Sequence, residues 1–175
     1  MSFTFDDMST NGWNTIATVC KPINKKNTFY INSCGNCSEN SSVKLMTYKE
    51  KNVIKILIKD GHEIGYHTHA HLNVRNTSNK YLLDDYKQWY TIVRKLGYNR
   101  KKFSFAFPYG SYRNSKYLKR NFIASRLFDD KGINNWNNLD VHKLHTYNIY
   151  SNTTAKDIID YITYHRENGG WLIIA

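Results

Sequence analysis

The chain has 175 residues, enough for one domain with its own hydrophobic core. Hydrophobic residues make up 41% and aromatic residues 15%, a composition typical of a folded globular protein rather than a disordered one. No apolar run approaches the roughly 20 residues that span a bilayer, and the polar, acidic beginning is unlike a signal peptide. We therefore predict a single domain over residues 1–175 and leave the compartment open. The apolar ending, 171–175, is consistent with a fragment of a longer protein.

The formal net charge of +11 comes from 25 Lys and Arg residues against 14 Asp and Glu residues. The cations are scattered in short groups, and neither a basic arm nor a zinc-finger spacing accompanies them. This pattern favours a solvated basic surface, with attraction to an anionic polymer as the alternative. We predict no nucleic-acid partner and no membrane partner, and the sequence leaves the oligomeric state open.

The three cysteines are Cys20, Cys34 and Cys37, and an odd count argues against a closed disulfide framework. Cys34 and Cys37 have the spacing of a zinc-binding or redox pair, but no second pair completes a four-ligand site. Unremarkable loop thiols are the favoured interpretation, with a local disulfide and redox or metal chemistry as alternatives.

Short apolar strands alternate with amphipathic helices along the chain. The predicted strands are residues 2–5, 28–31, 63–66, 103–107, 123–127 and 171–175. The predicted helices are residues 11–24, 48–59, 80–96, 115–121 and 155–167, with polar loops at 33–42 and 134–138. This alternation predicts an α/β fold with a largely parallel sheet, either open or closed into a barrel. In both arrangements, functional residues gather at the carboxyl ends of the strands.

Two of these helices carry apolar faces that we expect to be buried. The expected inward residues of helix 80–96 are Leu82, Leu83, Tyr86, Trp89, Tyr90, Val93 and Leu96. Those of helix 155–167 are Ile158, Ile159 and Ile162.

Candidate metal ligands lie at two of the strand ends. Asp6 and Asp7 end the first strand, and because side chains alternate along a strand, one carboxylate can bind a metal while the other acts as a base. His67 and His71 share a face whether the segment between them is helical or extended, whereas His69 joins them only if it is extended. Two neutral imidazoles and one carboxylate leave the fourth position of a zinc ion open for water. A histidine-rich surface loop is the alternative, and the two aspartates weigh against it.

The segment 105–110, Phe-Ala-Phe-Pro-Tyr-Gly, follows at a third strand end. Its functional interpretation is that proline and glycine fix a bend that exposes backbone N–H groups, which can stabilise an oxyanion. A strand that runs into an ordinary turn is the alternative.

Three segments in this order, FTFDD, GHEIGYHTHAH and FAFPYGSY, resemble the polysaccharide deacetylase family, also called the NodB-homology domain or carbohydrate esterase family 4. The third segment is similar to a branch of the family with an FAYPYG-like motif, and the resemblance covers essentially the whole chain. It implies a distorted (β/α) barrel and the removal of acetyl groups from N-acetylglucosamine units of chitin, peptidoglycan or a related glycan.

The resemblance also implies a role for individual residues. Asp6 matches the catalytic base, and Asp7, His67 and His71 match the metal ligands. The backbone N–H of Tyr109 matches the oxyanion donor. The expected metal is zinc, with cobalt or manganese as alternatives, and the expected partner is an N-acetylated glycan.

The sequence departs from the family pattern in two places within the chain. Ala106 stands where many members have an arginine that steadies the base, and Arg126, on a later predicted strand, is the candidate to replace it. The family's aspartate-and-tryptophan motif has no convincing match, although Asp129, Asp130 and Trp136 lie in that region.

A third departure concerns the general acid. The resemblance places a histidine that protonates the departing amine just after the strand 171–175, and the sequence stops before that position. Two alternatives to a metal-dependent N-deacetylase therefore remain open. One is a degenerate domain that binds glycan with little or no activity, and the other is a metal amidohydrolase of a small amide.

Overall fold

The structure, a computed structural model, describes residues 1–7, 9–34 and 46–175. The strands are β1 (Ser2–Asp6), β2 (Thr28–Ile31), β3 (Glu63–Tyr66), β4 (Phe103–Ala106), β5 (Phe122–Arg126), β6 (Ile133–Asn134) and β7 (Trp171–Ile174). The helices are α1 (Thr10–Cys20), α2 (Tyr48–Lys59), α3 (Asn79–Lys95), α4 (Lys116–Asn121) and α5 (Ala155–Asn168). Short 3-10 turns occupy Val74–Asn76, Pro108–Gly110 and Trp136–Asn138. Cys34 is disulfide-bonded, so the favoured interpretation of an unremarkable loop thiol is wrong for this residue. Cys37 lies outside the described residues, and its interpretation stays a prediction.

The strands form one seven-stranded sheet in the order β5-β4-β3-β2-β1-β7-β6. All neighbouring strands are parallel except β6, which runs antiparallel to β7. Residues 141–149 connect the edge strand β5 to β7. Leu144 forms a parallel bridge with Arg126 on β5, and Tyr147 forms one with Ile174 on β7. The sheet therefore curls into a distorted barrel, which confirms the fold expected from the sequence.

The two faces of the barrel strands differ in chemistry because side chains alternate along a strand. The outward face is apolar and aromatic, and Phe29, Ile64 and Phe105 are fully buried there beneath the helices. The inward face is polar: the hydroxyl of Thr28 donates to Glu63 Oε2 at 3.0 Å, and the hydroxyl of Ser104 donates to Glu63 Oε1 at 2.7 Å. Polar groups inside the barrel can supply hydrogen-bond partners to charged side chains that are buried there.

Three expectations about the helices and loops are wrong. The helix expected over 11–24 ends at Cys20, because Pro22 follows shortly after and has no backbone N–H to continue the helix. Leu83 is exposed, since α3 buries the face that carries Leu82 and Trp89. The loop expected at 134–138 contains the end of β6 and a 3-10 turn.

The last helix, α5, also packs differently from the expectation. Ile159 is 61% exposed, and Ile158 and Ile162 are half-buried. The buried residue of this helix is His165, and the ring of Tyr161 stacks on Tyr147 with the centroids 3.9 Å apart. Among the described residues, none of the helices combines the length and apolar character needed to cross a membrane.

Candidate metal centre

The two aspartates at the end of β1 point to different partners. Asp6 is the last residue of the strand, and its carboxylate accepts a hydrogen bond from the guanidinium of Arg126. Asp7 follows with a left-handed φ of 62°, which turns its carboxylate towards His67 and His71. Left-handed backbone is costly for a residue other than glycine and is concentrated at functional sites. The turn at Asp7 thus separates the two carboxylates into two environments.

Among the described residues, Asp7, His67 and His71 form a group that could hold a metal ion. One ligand atom from each residue lies within 4.8 Å of the others. Oδ1 of Asp7 is 3.5 Å from Nε2 of His67 and 3.1 Å from Nε2 of His71. Ligands bound tetrahedrally at about 2.0–2.2 Å from a zinc ion are separated by about 3.3–3.5 Å. The spacing and the donor atoms therefore fit a divalent metal such as zinc.

The second nitrogen of each imidazole is also engaged. Nδ1 of His67 lies 2.9 Å from the carbonyl oxygen of Ala106. Because a carbonyl oxygen only accepts, Nδ1 carries a proton, and Nε2 lies on the side of Asp7. Nδ1 of His71 lies 2.9 Å from the hydroxyl of Tyr109. Such outer hydrogen bonds fix the ring orientation and the tautomer of metal-binding histidines.

The electrostatics of the cluster favour a charged carboxylate. Burial by itself raises the pKa of Asp7, but the hydrogen bonds and charge of His67 and His71 outweigh that effect and hold the pKa well below its usual range. The side chain of Asp7 is 58% exposed, whereas that of His67 is 3% exposed. The ligand group therefore opens to solvent on the side of Asp7, where a substrate can approach.

The turn after β4 borders the cluster. Tyr109 has a left-handed φ of 57° and places its hydroxyl on His71. Gly110 has a φ of 61°, and a Cβ there would lie 2.8 Å from the carbonyl oxygen of Phe128, so only glycine fits without a shift of backbone. The expected bend at Pro108–Gly110 is therefore present, and it packs closely against the loop that follows β5.

Arg126 lies in the barrel interior beside Ala106, the position where the resemblance led us to expect an arginine. It is the register partner of Ala106 on the neighbouring strand and is 1% exposed. Its guanidinium donates to Asp6 and to the carbonyl oxygen of Leu127, and it lies 4.7 Å from the ring centroid of Tyr30. The candidate chosen from the sequence thus contacts the candidate base.

Other residues singled out in the sequence lie outside this cluster. Asp129 pairs with Nδ1 of His145 at 2.6 Å, and Asp130 accepts from the hydroxyl of Tyr150 at 2.6 Å. Trp136 stacks on Trp171 with the centroids 6.4 Å apart. His69 is buried with its Nδ1 2.8 Å from the hydroxyl of Ser33. The structure therefore keeps His69 apart from the two histidines on either side of it.

Sequence reasoning missed Asp85, a buried carboxylate on α3. Its oxygens accept hydrogen bonds from the backbone N–H groups of His69 and Ala70. An aspartate among the buried positions of an amphipathic helix is the signal that could have found it, because a buried charge needs specific partners.

Comparisons with known proteins agree with the fold. The Streptococcus pyogenes deacetylase PplD, solved in complex with acetate, is similar over 91% of this chain and 69% of its own, at 18% identity and a TM-score of 0.67. For the Bacillus subtilis peptidoglycan deacetylase PdaC the coverages are 99% and 86%, the identity 19% and the TM-score 0.59. BA3943, a carbohydrate esterase family 4 pseudoenzyme from Bacillus anthracis, is similar over 99% of this chain and 62% of its own, at 16% identity and a TM-score of 0.62. This chain therefore spans less than two thirds of BA3943.

At these identities the structural likeness establishes the fold alone. No curated protein matches the chain. The family model described as polysaccharide deacetylase matches residues 1–122, well over half of the chain. The chain therefore belongs to the polysaccharide deacetylase family.

Proposed function

We propose that this chain hydrolyses N-acetyl groups on an N-acetylglucosamine-containing polysaccharide, such as chitin or peptidoglycan, with the help of a divalent metal. The observation that carries the proposal is the cluster of Asp7, His67 and His71, with Asp6 beside it in a separate environment. Family membership supports it, as does the fact that two similar structures are a deacetylase with acetate and a peptidoglycan deacetylase.

Asp7, His67 and His71 would hold the metal. Two imidazole nitrogens and one carboxylate oxygen suit zinc, with cobalt and manganese as alternatives. When bound, the metal supplies Lewis-acid polarisation of the acetyl carbonyl and lowers the pKa of a water molecule towards about 7. The hydrogen bonds from His67 to Ala106 and from His71 to Tyr109 would keep both ligand nitrogens aimed at the same point.

Asp6 would act as the general base that takes the proton of the attacking water. Its contact with Arg126 leaves it outside the ligand group and fixes the direction of its carboxylate. A positioned base contributes about 10²–10⁴-fold to the rate of such a step. The backbone N–H of Tyr109 would stabilise the negative charge that develops on the acetyl oxygen, since the same residue already lies against His71. Collapse of this tetrahedral intermediate would break the C–N bond, and the proton taken from water would end on the departing amine.

Asp-to-Asn substitutions at the adjacent positions 6 and 7 test the roles proposed for the base and the metal ligand. We expect Asp7→Asn to lose both zinc affinity and acetate release, because it removes a ligand charge. We expect Asp6→Asn to bind zinc like the wild type but to release acetate about 10²–10⁴-fold more slowly. The measurements are zinc affinity by competition with a chelator and acetate release from a chitin oligomer, from peptidoglycan and from small formyl and acetyl amides. Equal zinc affinity in wild type and Asp7→Asn would contradict the ligand assignment.

The same substrates separate the alternatives. A zinc-loaded chain that binds chitin oligomer or peptidoglycan but releases no acetate from either would be a glycan-binding domain. Release from small amides alone would identify an amidohydrolase of small substrates.

A further inference from the structure

The segment that carries the two histidine ligands has little regular structure of its own. Between His67 and His71 the chain forms neither helix nor strand, and Thr68 and His71 have left-handed φ angles of 57° and 51°. The hydroxyl of Thr68 accepts from the N–H of Leu72 at 2.7 Å, which fixes the far end of the turn. Strained backbone of this kind persists only when its surroundings hold it in place.

Asp85 supplies that support from α3. Its Oδ1 accepts from the N–H of His69 at 2.6 Å, and its Oδ2 accepts from the N–H of Ala70 at 3.0 Å. The hydroxyl of Tyr66, the residue just before His67, also donates to Oδ1. Asp85 therefore binds two consecutive peptide groups that lie midway between the proposed ligands, and it is 4% exposed.

A carboxylate is the side chain that suits this position. Two neighbouring N–H groups need two acceptor oxygens, and an asparagine would offer one oxygen and one competing donor. Burial raises the pKa of Asp85, while the donors on Tyr66, His69 and Ala70 act in the opposite direction. Because a buried carboxylate is expensive unless it is hydrogen-bonded, the three donors account for its presence.

The opposite side of the loop is held as well. Nδ1 of His69 lies 2.8 Å from the hydroxyl of Ser33, and the carbonyl of His69 accepts from the N–H of Cys34 at 3.1 Å. His69 is thus fixed between α3 and the segment after β2. This explains why the middle histidine points away from the ligand cluster.

We infer that Asp85 is a positioning residue for the metal site: by binding the backbone of His69 and Ala70, it sets the spacing of His67 and His71. The inference rests on the proposed function, since it concerns the same ligands. Residues that support metal ligands from outside typically contribute 10–100-fold to metal affinity.

Asp85→Asn and Asp84→Asn form a matched pair for the test. Both remove one negative charge from the same turn of α3, but Asp84 is exposed, with its Oδ1 3.3 Å from Nζ of Lys87. We expect Asp85→Asn to weaken zinc binding about 10–100-fold and Asp84→Asn to leave it within about twofold. Zinc affinity is measured by chelator competition, and circular dichroism of the metal-free chains tests whether each variant is folded.

The amide hydrogen exchange of the wild type gives a second measurement. The N–H groups of His69 and Ala70 should exchange much more slowly than exposed loop amides, because Asp85 accepts from both. This measurement decides the matter if Asp85→Asn does not fold, and exchange at the rate of an open loop would overturn the inference. Equal zinc affinity in folded Asp85→Asn and Asp84→Asn would overturn it too, while leaving the metal site intact. A wild type that binds no zinc would refute both proposals.

Discussion

Arg126 on β5 donates a hydrogen bond from Nη2 to Oδ1 of Asp6 on β1, across the barrel interior. The register of the sheet explains how it can do so, because Arg126 lies directly beside Ala106. An inward side chain from either position reaches the same region of the interior. Arg126 therefore brings a cation to Asp6 from the strand next to β4, where the family resemblance led us to expect an arginine.

This relationship predicts a separation between catalysis and metal binding. Arg126→Met should lower kcat/KM by about 10²-fold or more, because Asp6 loses the group that orients it. Zinc affinity should stay close to that of the wild type, since Arg126 contacts none of the three proposed ligands. The measurements are acetate-release kinetics and chelator competition.

Arg126→Met should also destabilise the chain. Removing one partner of a fully buried ion pair costs about 3–5 kcal/mol, and the partial exposure of Asp6 places the expected loss at or below that range. Arg126→Lys is the control, because it keeps the charge but loses the planar set of donors. Its kcat/KM should lie between that of the wild type and that of Arg126→Met. Unchanged kcat/KM in Arg126→Met would refute the assignment.

Tyr109→Phe tests the contact between the turn and His71. The substitution removes the hydroxyl that lies 2.9 Å from Nδ1 of His71 but keeps the backbone N–H proposed as oxyanion donor. Zinc affinity should fall by about 10-fold, the lower end of the range for outer-shell groups, because the side chain is more than half exposed. With saturating zinc, kcat should remain close to that of the wild type. A large loss of kcat at full zinc occupancy would show that the hydroxyl itself takes part in the reaction.

Strand–helix alternation indicated a parallel sheet, and the strand ends indicated where a metal site could lie, because both depend on local patterns. The closure into a barrel and the choice of Asp7 rather than Asp6 as ligand came from the family resemblance. Sequence spacing left the place of His69 undecided, because it depends on Ser33 and Asp85 in distant elements. The exposure of Ile159 was missed for a similar reason, since the face that α5 buries is decided by its neighbours.

Gly65→Ala probes the packing beneath Arg126. A Cβ at this position would lie 2.4 Å from Cδ1 of Tyr30, whose ring faces the Arg126 guanidinium. Because the ring is enclosed, the added methyl should displace it and destabilise the chain by about 1–3 kcal/mol. The displacement should also lower kcat/KM, since Tyr30 supports the residue that orients Asp6. Urea unfolding and acetate-release kinetics measure the two effects, and a variant as stable as the wild type would contradict the close contact.

The stability of the chain should depend on pH through His62. The buried His62 accepts a hydrogen bond from the N–H of Asn27 on Nδ1 at 3.1 Å, so this nitrogen is unprotonated in the folded chain. Burial lowers the pKa of His62, with the charge of Lys26 acting in the same direction, although Asp60 opposes them. The unfolded chain therefore binds a proton more readily below about pH 6.5 than the folded chain does. Stability should be at its full value above that pH and fall as the solution is acidified through it.

Thermal unfolding between pH 5 and pH 8, in the presence of a chelator, measures this dependence without a contribution from bound metal. His62→Gln keeps a hydrogen-bond acceptor within reach of Asn27 but does not titrate, so its unfolding temperature should fall less steeply with acid. A residual slope should remain, because burial also lowers the pKa values of His69 and His142. If wild type and His62→Gln lose stability in parallel over this range, proton uptake by His62 is not a source of the acid sensitivity.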